Sequence, residues 1–157
     1  MILYLDTSCL VKLYVEEEGS ERVRRQVAES TAVATSTIAY VEARAAFARK
    51  HREGGLSDEE YSVVSDAFRQ EWGAYLAVEV SEVIVTLAGD LVEGHELRGF
   101  DAIHLASALA LRDRTQSPVL FSCADGRLTT AAGAEGLDAL SSPLRERTKV
   151  RVNSPSL

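Results

Sequence analysis

The amino-acid sequence predicts an α/β fold in which helices cover a parallel β-sheet. Short apolar or β-branched runs of strand length alternate with longer segments of helical periodicity along the chain. The first run, 2–5, is apolar at every position, which is typical of a parallel strand buried on both faces. The early runs are each followed by a polar break and then a helical segment, as crossover connections between parallel strands require.

Five runs are expected to form the sheet. The second is short and rich in small and β-branched residues, and the fourth follows the helix-breaking pair Ser117-Pro118. In chain order, the predicted strands are 2–5, 31–36, 77–80, 119–122 and 137–140.

The helices between these strands are predicted from start and stop signals. The first is expected to follow Asp6 and to end at Gly19, and Ser20 is expected to cap the second. Ser57 and Glu60 have the spacing of a capping box and open another helix. The remaining predicted helices are 37–51, 81–94, 100–113 and 127–135.

The helix that Ser57 opens carries a stripe of large side chains at helical spacing. The stripe consists of Tyr61, Val64, Phe68, Trp72 and Tyr75. Such a stripe packs into the core or against another molecule, and the sequence favours neither alternative.

The composition indicates one globular domain: 157 residues, of which 46% are hydrophobic and 26% charged. No apolar stretch is long enough to span a bilayer and no leader pattern is present, so a cytoplasmic location is expected. The net charge of −7 argues against a simple electrostatic binder of nucleic acid. It does not argue against an enzyme whose acidic pocket is filled by metal ions. Cys9 and Cys123 are too few for a disulfide framework or a zinc site.

Two aspartates are expected at the carboxyl ends of central strands. Asp6 follows the first strand, and Asp125 follows the fourth strand after a short turn. Ligands bind at this edge in open parallel sheets. Either aspartate alone could simply cap a helix or stabilise a turn. The architecture nevertheless predicts that both lie at the same edge.

Two further acids lie on predicted helices. Glu42 shares a helical stripe with Ile38 and Ala45, which favours an inward-facing side chain. Asp101 begins a helix that is apolar nearly all round, and a charge there requires a partner or a cation. His104, one turn further on, is interpreted as a hydrogen-bonded core histidine, with exposure to the same pocket as the alternative.

A cluster of four ionised carboxylates is energetically unfavourable unless positive charge lies nearby. Two of them about 5 Å apart repel by roughly 3 kcal/mol at an effective dielectric near 20. Such a cluster persists most easily around a hard divalent cation, and an all-oxygen ligand set suits Mg²⁺ or Mn²⁺ rather than Zn²⁺. A site of this kind activates water and stabilises charge on a transferring phosphoryl group.

The order of the motifs resembles the PIN domain, and most of all the VapC-type toxin ribonucleases of bacterial and archaeal toxin–antitoxin pairs. The motifs are YLDTSCLVKLY at 4–14, the helix from Ser36/Thr37 through Glu42, RGFDAIHLASAL at 98–109 and FSCADGRL at 121–128. The resemblance covers residues 1 to about 140 and leaves 141–157 as a C-terminal extension, an edge strand or a tail. It implies a three-layer fold around a five-stranded parallel sheet.

The resemblance also implies an activity. It indicates an endoribonuclease that depends on Mg²⁺ or Mn²⁺ and hydrolyses RNA phosphodiesters with a metal-activated water. By position it assigns catalytic roles to Asp6, Glu42, Asp101 and Asp125, and metal binding to Asp6, Asp101 and Asp125. The small hydroxyl positions beside the acids are matched by Ser8 and Ser122.

The partners implied by the resemblance are an RNA substrate, a cognate antitoxin and a second copy of the chain in a homodimer. Candidates for RNA contact, chosen for their proximity to the acids in sequence, are Arg44, Arg49 and Arg98. Basic residues also alternate in the extension, as a solvated edge or as phosphate contacts. They are Arg145, Arg147, Lys149 and Arg151.

Two other functions are considered. A non-catalytic PIN-like interaction module is the main alternative, although retention of all four acids argues against it. A metal-dependent phosphotransferase or phosphatase of the haloacid-dehalogenase type requires a second aspartate two residues after the first, where this chain has Ser8. A dinucleotide-binding fold is excluded because no glycine-rich turn follows the first strand.

Overall fold

Five parallel strands form the sheet. They are β1 (Ile2–Leu5), β2 (Ala32–Ser36), β3 (Leu76–Val78), β4 (Val119–Cys123) and β5 (Asp138–Ser141). In this computed structural model, which describes residues 1–141, their order across the sheet is β3-β2-β1-β4-β5. All four neighbouring pairs are parallel, and β1 lies at the centre. The predicted sheet is therefore confirmed.

Seven α-helices lie in the described part of the chain. They are α1 (Thr7–Val11), α2 (Ser20–Glu29), α3 (Ile38–Arg52), α4 (Asp58–Glu71), α5 (Glu82–Gly94), α6 (Gly99–Thr115) and α7 (Gly126–Ala134), with a short 3-10 turn at Trp72–Ala74. The predicted capping box opens α4: Ser57 Oγ accepts from the Glu60 amide, and Glu60 Oε1 accepts from the Ser57 amide.

The central strand is buried on both faces. Ile2 and Tyr4 pack into the cluster formed with α5, α6 and α7, whereas Leu3 and Leu5 pack into the cluster on the opposite face with α1 to α4. Successive side chains of a strand point to opposite faces, so a wholly apolar strand fills both cores at once. The result is the expected arrangement of helices, sheet and helices in three layers.

The first helix is shorter than predicted. It ends at Val11 instead of Gly19, because the chain turns after Lys12, whose Nζ lies 3.0 Å from Glu17 Oε1. The predicted capping role of Ser20 is also wrong. Gly19, with φ of +89°, is the N-cap of α2, and the Ser20 hydroxyl closes the preceding turn by accepting from the Glu17 amide.

The aromatic stripe of α4 packs into the core. Phe68 is fully buried, and its ring centroid lies 5.3–5.7 Å from the centroids of Tyr14, Tyr40 and Phe47. The other four members of the stripe are partly buried against the same cluster. Aromatic pairs at these separations add to the stabilisation from buried area. The structure therefore supports the core alternative for this stripe.

Most of the C-terminal extension lies outside the described residues. Strand β5 continues to Ser141, one residue past the expected boundary, and the alternating basic residues of 145–151 fall in the part that is not described. Among residues 1–141, no helix combines the length and the apolar character needed to cross a membrane.

One buried cation on α2 has no acceptor among the described residues. Arg22 is 9% exposed, and its Nε, Nη1 and Nη2 atoms make no hydrogen bond. A buried donor without a partner loses the hydrogen bonds it made to water in the unfolded chain. The guanidinium group is thus expected to reduce the stability of the fold.

Replacement of Arg22 by methionine should therefore stabilise the protein. Arg22→Met keeps the apolar stem and removes the unpaired donors, so the free energy of unfolding should rise by about 1–3 kcal/mol in urea denaturation. Arg25→Met, at an exposed position of the same helix, is the matched control and should change it by about 0.5 kcal/mol or less. A loss of stability in Arg22→Met would contradict the prediction and reveal an acceptor for the guanidinium group.

Candidate active site

The candidate site lies where the chain changes direction across the sheet. From β1 the chain proceeds to β2 and β3 on one side, and it returns to β4 and β5 on the other side. In open α/β sheets the carboxyl ends of the strands at such a switch point form a crevice. Asp6 directly follows β1, and Asp125 follows β4 by two residues. The topology thus places both aspartates at the crevice.

All four acids predicted from the sequence line one cavity of about 1250 Å³. We refer to it as the acidic cavity. One side of its wall is apolar and comes from α5 and α6, and basic residues lie at other points of the wall. Its lining includes Asp6, Glu42, Asp101 and Asp125, the basic residues Arg49, Lys50 and Arg98, and the apolar residues Val85, Val92, Phe100 and Ile103.

Asp6 caps α1 and also lines the acidic cavity. Its Oδ1 accepts from the Cys9 amide at 3.0 Å and from Ser8 Oγ at 2.7 Å, whereas Oδ2 receives no hydrogen bond from the described residues. The side chain is nearly inaccessible, and burial raises the pKa of Asp6, against the lowering effects of His104, Ser8 and Cys9. A buried carboxylate with one unbonded oxygen is suited to a cation.

Ser8 connects Asp6 to the end of β4. While its hydroxyl donates to Asp6, the same oxygen accepts from the Ala124 amide at 3.3 Å. Ser8 therefore lies beside the acids, as expected from the sequence.

Glu42 is held by two donors on the same oxygen. Its Oε1 lies 2.6 Å from Thr7 Oγ1 and 3.0 Å from His104 Nε2, and Oε2 receives no hydrogen bond within residues 1–141. Burial would raise the pKa of Glu42, but the hydrogen bonds from His104 and Thr7 and the electrostatic effect of His104 outweigh burial and lower it. Glu42 is therefore ionised and oriented at neutral pH.

Asp101 and Asp125 lie on either side of one positively charged side chain, that of Arg98. Arg98 Nε lies 3.6 Å from Asp101 Oδ2, and Arg98 Nη2 lies 3.7 Å from Asp125 Oδ2. Burial raises the pKa of Asp101, Arg98 lowers it, and the negative charges of Asp6 and Asp125 raise it further. The three aspartates thus interact electrostatically across the cavity.

Asp125 also caps a helix. Its Oδ1 accepts from the Arg127 amide at 2.8 Å at the start of α7. As with Asp6, only Oδ1 caps the helix. Oδ2 of Asp125 lies near the Arg98 guanidinium, and Oδ2 of Asp6 receives no hydrogen bond from the described residues. Both aspartates therefore cap a helix and also line the acidic cavity, so the capping role does not remove either carboxylate from the cavity.

Two residues that the sequence associates with the acids have side chains that bond other groups. The Ser122 hydroxyl does not contact the acids: it donates to Gln26 Oε1 of α2 at 2.9 Å, on the face of the sheet that α1 to α4 cover, because alternate residues of β4 point to opposite faces. Only the backbone of Ser122 reaches an acidic residue, since its carbonyl accepts from the Asp6 amide at 3.1 Å. Arg44 does not line the acidic cavity and instead donates to the Tyr40 hydroxyl at 3.1 Å. Of the three arginines considered for RNA contact, only Arg49 and Arg98 line the cavity.

Thr7 was not predicted to contact the acids, and His104 was interpreted first as a core histidine, with exposure to the pocket as the alternative. His104 is 2% exposed, with Nδ1 at 2.9 Å from the Tyr4 hydroxyl and Nε2 at 3.0 Å from Glu42. It is therefore a hydrogen-bonded core histidine and also a contact of the site. The only sequence signal for it is one imidazole within an otherwise apolar stretch of helix.

The carboxylates are not assembled into a ligand set. Among residues 1–141, no three His, Cys, Asp or Glu side chains lie close enough together to hold a metal ion. Thr7 and His104 hold Glu42, and Arg98 lies beside Asp101 and Asp125. The donor chemistry nevertheless fits a hard cation, because carboxylate oxygens converge on one cavity and Oδ2 of the buried Asp6 lacks a hydrogen bond.

A parallel five-stranded sheet with four acids around its switch point defines the class of protein. The family model of the PIN domain matches residues 3–130 of the chain. The chain belongs to the PIN-domain family, as its motifs predicted.

The relatives narrow this assignment. Ribonuclease VapC45 of Mycobacterium tuberculosis is 36% identical over 135 residues, which cover 86% of this chain and 92% of the relative. The crystal structure of FitAcB from Neisseria gonorrhoeae has a TM-score of 0.63 at 18% identity and covers 90% of this chain and 97% of its own. A toxin–antitoxin complex from Klebsiella pneumoniae has a TM-score of 0.59 at 16% identity, with 88% and 96% covered. The two structures show the shared fold, and the sequence identity places the chain with VapC proteins.

The buried charge of Asp6 should cost stability at neutral pH. Because its pKa is raised above 3.8, its contribution to the free energy of unfolding is fully present below that pH and is lost as pH rises through the folded-state pKa. Asp6→Asn keeps an oxygen that caps α1 but carries no charge. Its melting temperature at pH 7 should therefore exceed that of wild type, by about 2–4 °C per kcal/mol.

The pH dependence provides the check. The difference in melting temperature between Asp6→Asn and wild type, followed by circular dichroism, should shrink as pH falls toward 3.8. Asp138→Asn, at an exposed position on β5, is the control and should show no such trend. An Asp6→Asn protein less stable than wild type at pH 7 would mean that the ionised carboxylate stabilises the fold.

Proposed function

We propose that the protein is an endoribonuclease of the VapC type that hydrolyses RNA phosphodiesters at the acidic cavity. The observation that carries this proposal is the convergence of Asp6, Glu42, Asp101 and Asp125 on one cavity at the switch point of the sheet. Support for the choice of substrate comes from the identity with a named ribonuclease over most of both chains.

The residues that would hold a divalent cation are Asp6, Asp101 and Asp125. Mg²⁺ or Mn²⁺ is favoured, because the ligand set contains only oxygen atoms. Bound there, the cation would supply water activation and charge neutralisation. Asp101 and Asp125 already attract positive charge, since the Arg98 guanidinium lies near both.

The other residues of the cavity would orient a water molecule and neutralise the charge of the RNA phosphates. Glu42 presents an oriented carboxylate whose unbonded Oε2 is available to accept a proton or a hydrogen bond from a water molecule. Arg49 and Arg98, which both line the cavity, supply positive charge for the phosphates of a bound strand. The net charge of −7 makes these local cations important for an anionic substrate.

The proposed biological role is that of a toxin controlled by an antitoxin. Support comes from the VapC relative and from a fold shared with the toxin–antitoxin complex of Klebsiella pneumoniae. Homodimerisation is proposed as well. Exposed apolar side chains on α5, at Val83 and Val85, provide surface for protein contacts.

Cleavage should require both the acids and a divalent cation. Purified protein free of antitoxin should cut a mixed RNA pool with Mg²⁺ or Mn²⁺ and should stop when a chelator is added. Asp6→Asn and Asp101→Asn should lose more than the roughly 10–100-fold that the loss of a supporting residue costs. The exposed Asp138→Asn should retain full activity in the same gel assay.

The alternative outcomes discriminate between explanations. Full activity in a folded Asp6→Asn or Asp101→Asn protein would refute the site assignment. Cutting that survives both the chelator and Asp6→Asn would indicate a contaminating nuclease. Absence of cutting by folded wild-type protein under all conditions would favour a non-catalytic interaction module.

The location of the arginines predicts which of them bind RNA. In an Asp6→Asn background, Arg49→Ala and Arg98→Ala should weaken binding of a single-stranded oligonucleotide in fluorescence anisotropy. Each should reduce the slope of log K against log salt concentration by about 0.7, the value for one lost phosphate contact. Arg44→Ala is the control outside the cavity. Equal effects of all three substitutions would mean that RNA binds over a wider surface.

A further inference from the structure

His104 belongs to a hydrogen-bonded chain that runs from the core to the acidic cavity. The Tyr4 hydroxyl lies 2.9 Å from Nδ1, and Nε2 lies 3.0 Å from both Glu42 Oε1 and Thr7 Oγ1. Tyr4 is fully buried on the central strand, and His104 is 2% exposed on α6. The chain of hydrogen bonds therefore connects the buried central strand to a carboxylate that lines the cavity.

The chemistry of the partners determines the direction of these hydrogen bonds. An ionised carboxylate can only accept, so Nε2 of His104 must carry the hydrogen that reaches Glu42. In the neutral ring, Nδ1 then accepts from the Tyr4 hydroxyl. Tyr4 thus selects the tautomer in which the donor points at Glu42.

The two donors to Glu42 converge on one oxygen. Thr7 Oγ1 and His104 Nε2 both lie within 3.0 Å of Oε1, and Oε2 has no hydrogen bond within the described residues. Because one oxygen is fixed by two donors, the carboxylate cannot rotate freely, and its second oxygen keeps a defined direction. Burial of an imidazole requires only that each of its nitrogen atoms has a partner. It does not require that a second donor bonds the same carboxylate oxygen.

Packing alone does not account for a histidine at this position. The neighbours Ala102, Leu105, Ala106 and Leu109 on α6 are apolar and buried, and a leucine would fill the position without polar atoms. A buried imidazole is tolerated only where both nitrogen atoms find partners. Here one of those partners is a residue of the acidic cavity.

We infer that His104, oriented by Tyr4, is a positioning residue that holds the Glu42 carboxylate in its working orientation for RNA cleavage. The inference rests on the proposed ribonuclease activity. His104 lies at the wall of the cavity but is only 2% exposed, and its Nε2 bonds Glu42, so it acts through Glu42. Its loss should therefore lower kcat and leave KM for RNA nearly unchanged.

The kinetic test uses three substitutions at the two positions. His104→Leu fills the space without a donor and should lower kcat by about 10–100-fold, the range for residues that orient site groups. His104→Gln restores an N–H donor and should recover a substantial part of that loss. Tyr4→Phe keeps the packed ring, removes the hydroxyl, and should lower kcat to an intermediate value.

Controls separate positioning from general destabilisation. Leu109→Ala perturbs the buried side of the same helix without contact to Glu42, so it should lower the melting temperature and leave kcat unchanged. Full kcat in both His104→Leu and Tyr4→Phe would overturn the inference, as would a loss that His104→Gln does not recover at all. If His104→Leu does not fold, full kcat in Tyr4→Phe together with a loss in His104→Gln would overturn it.

A spectroscopic test is independent of activity. In ¹⁵N imidazole NMR, the Nε2 resonance of His104 should shift in Glu42→Gln, because the acceptor loses its charge, and should shift much less in Asp138→Asn. Equal resonances in wild type and Glu42→Gln would refute the contact. If wild-type protein cleaves no RNA but the NMR shift occurs, the proposed function fails while the positioning contact stands.

Discussion

Burial of the central strand on both faces is the constraint on which the rest of the structure depends. The wholly apolar β1 separates two hydrophobic clusters and fixes the point at which the chain must leave the sheet. Asp6 follows directly, so its carboxylate enters a buried position at the switch point with β4. Position 6 is buried because β1 is buried, and this burial raises the pKa of the Asp6 carboxyl. The stability of the core is thus coupled to an energetically costly charge at the site.

The four acids of the cavity are compensated in three different ways. Glu42 receives two hydrogen bonds and its pKa is lowered. Asp101 and Asp125 share the Arg98 guanidinium. Asp6 has only a cap and a hydroxyl, both on one oxygen. These differences are consistent with the different roles proposed for the carboxylates: an oriented acceptor in Glu42, a pair beside a guanidinium in Asp101 and Asp125, and a buried oxygen without a hydrogen bond in Asp6. Such separation of environments is the way in which one residue type performs several tasks in a site.

The sequence predicted most of the fold because its patterns are local. Apolar runs and caps such as Ser57 depend on neighbours within one helical turn or one strand, and the strand positions agree within about two residues. The end of the first helix was mispredicted, because Lys12 pairs with Glu17 beyond the turn. Likewise, the aromatic stripe of α4 is compatible with core and interface until the rings of Tyr14, Tyr40 and Phe47 surround Phe68. Contacts between distant segments decide these cases.

For the site, the strand pattern predicted that Asp6 and Asp125 lie at the same edge of the sheet, because parallel strands end there together. Glu42 and Asp101 were added from the pattern of their helices and from the resemblance to the PIN domain, and all four line one cavity. How each acid is held depends on contacts between segments that are far apart in sequence. Ser122 and Ser8 look alike in sequence, yet the alternation of β4 turns Ser122 toward Gln26, while Ser8 bonds Asp6. His104 reaches Glu42 only because α6 and α3 meet over the end of β1. Hydrogen bonds are directional and short in range, so they are set by the packing of remote segments, which no local pattern encodes.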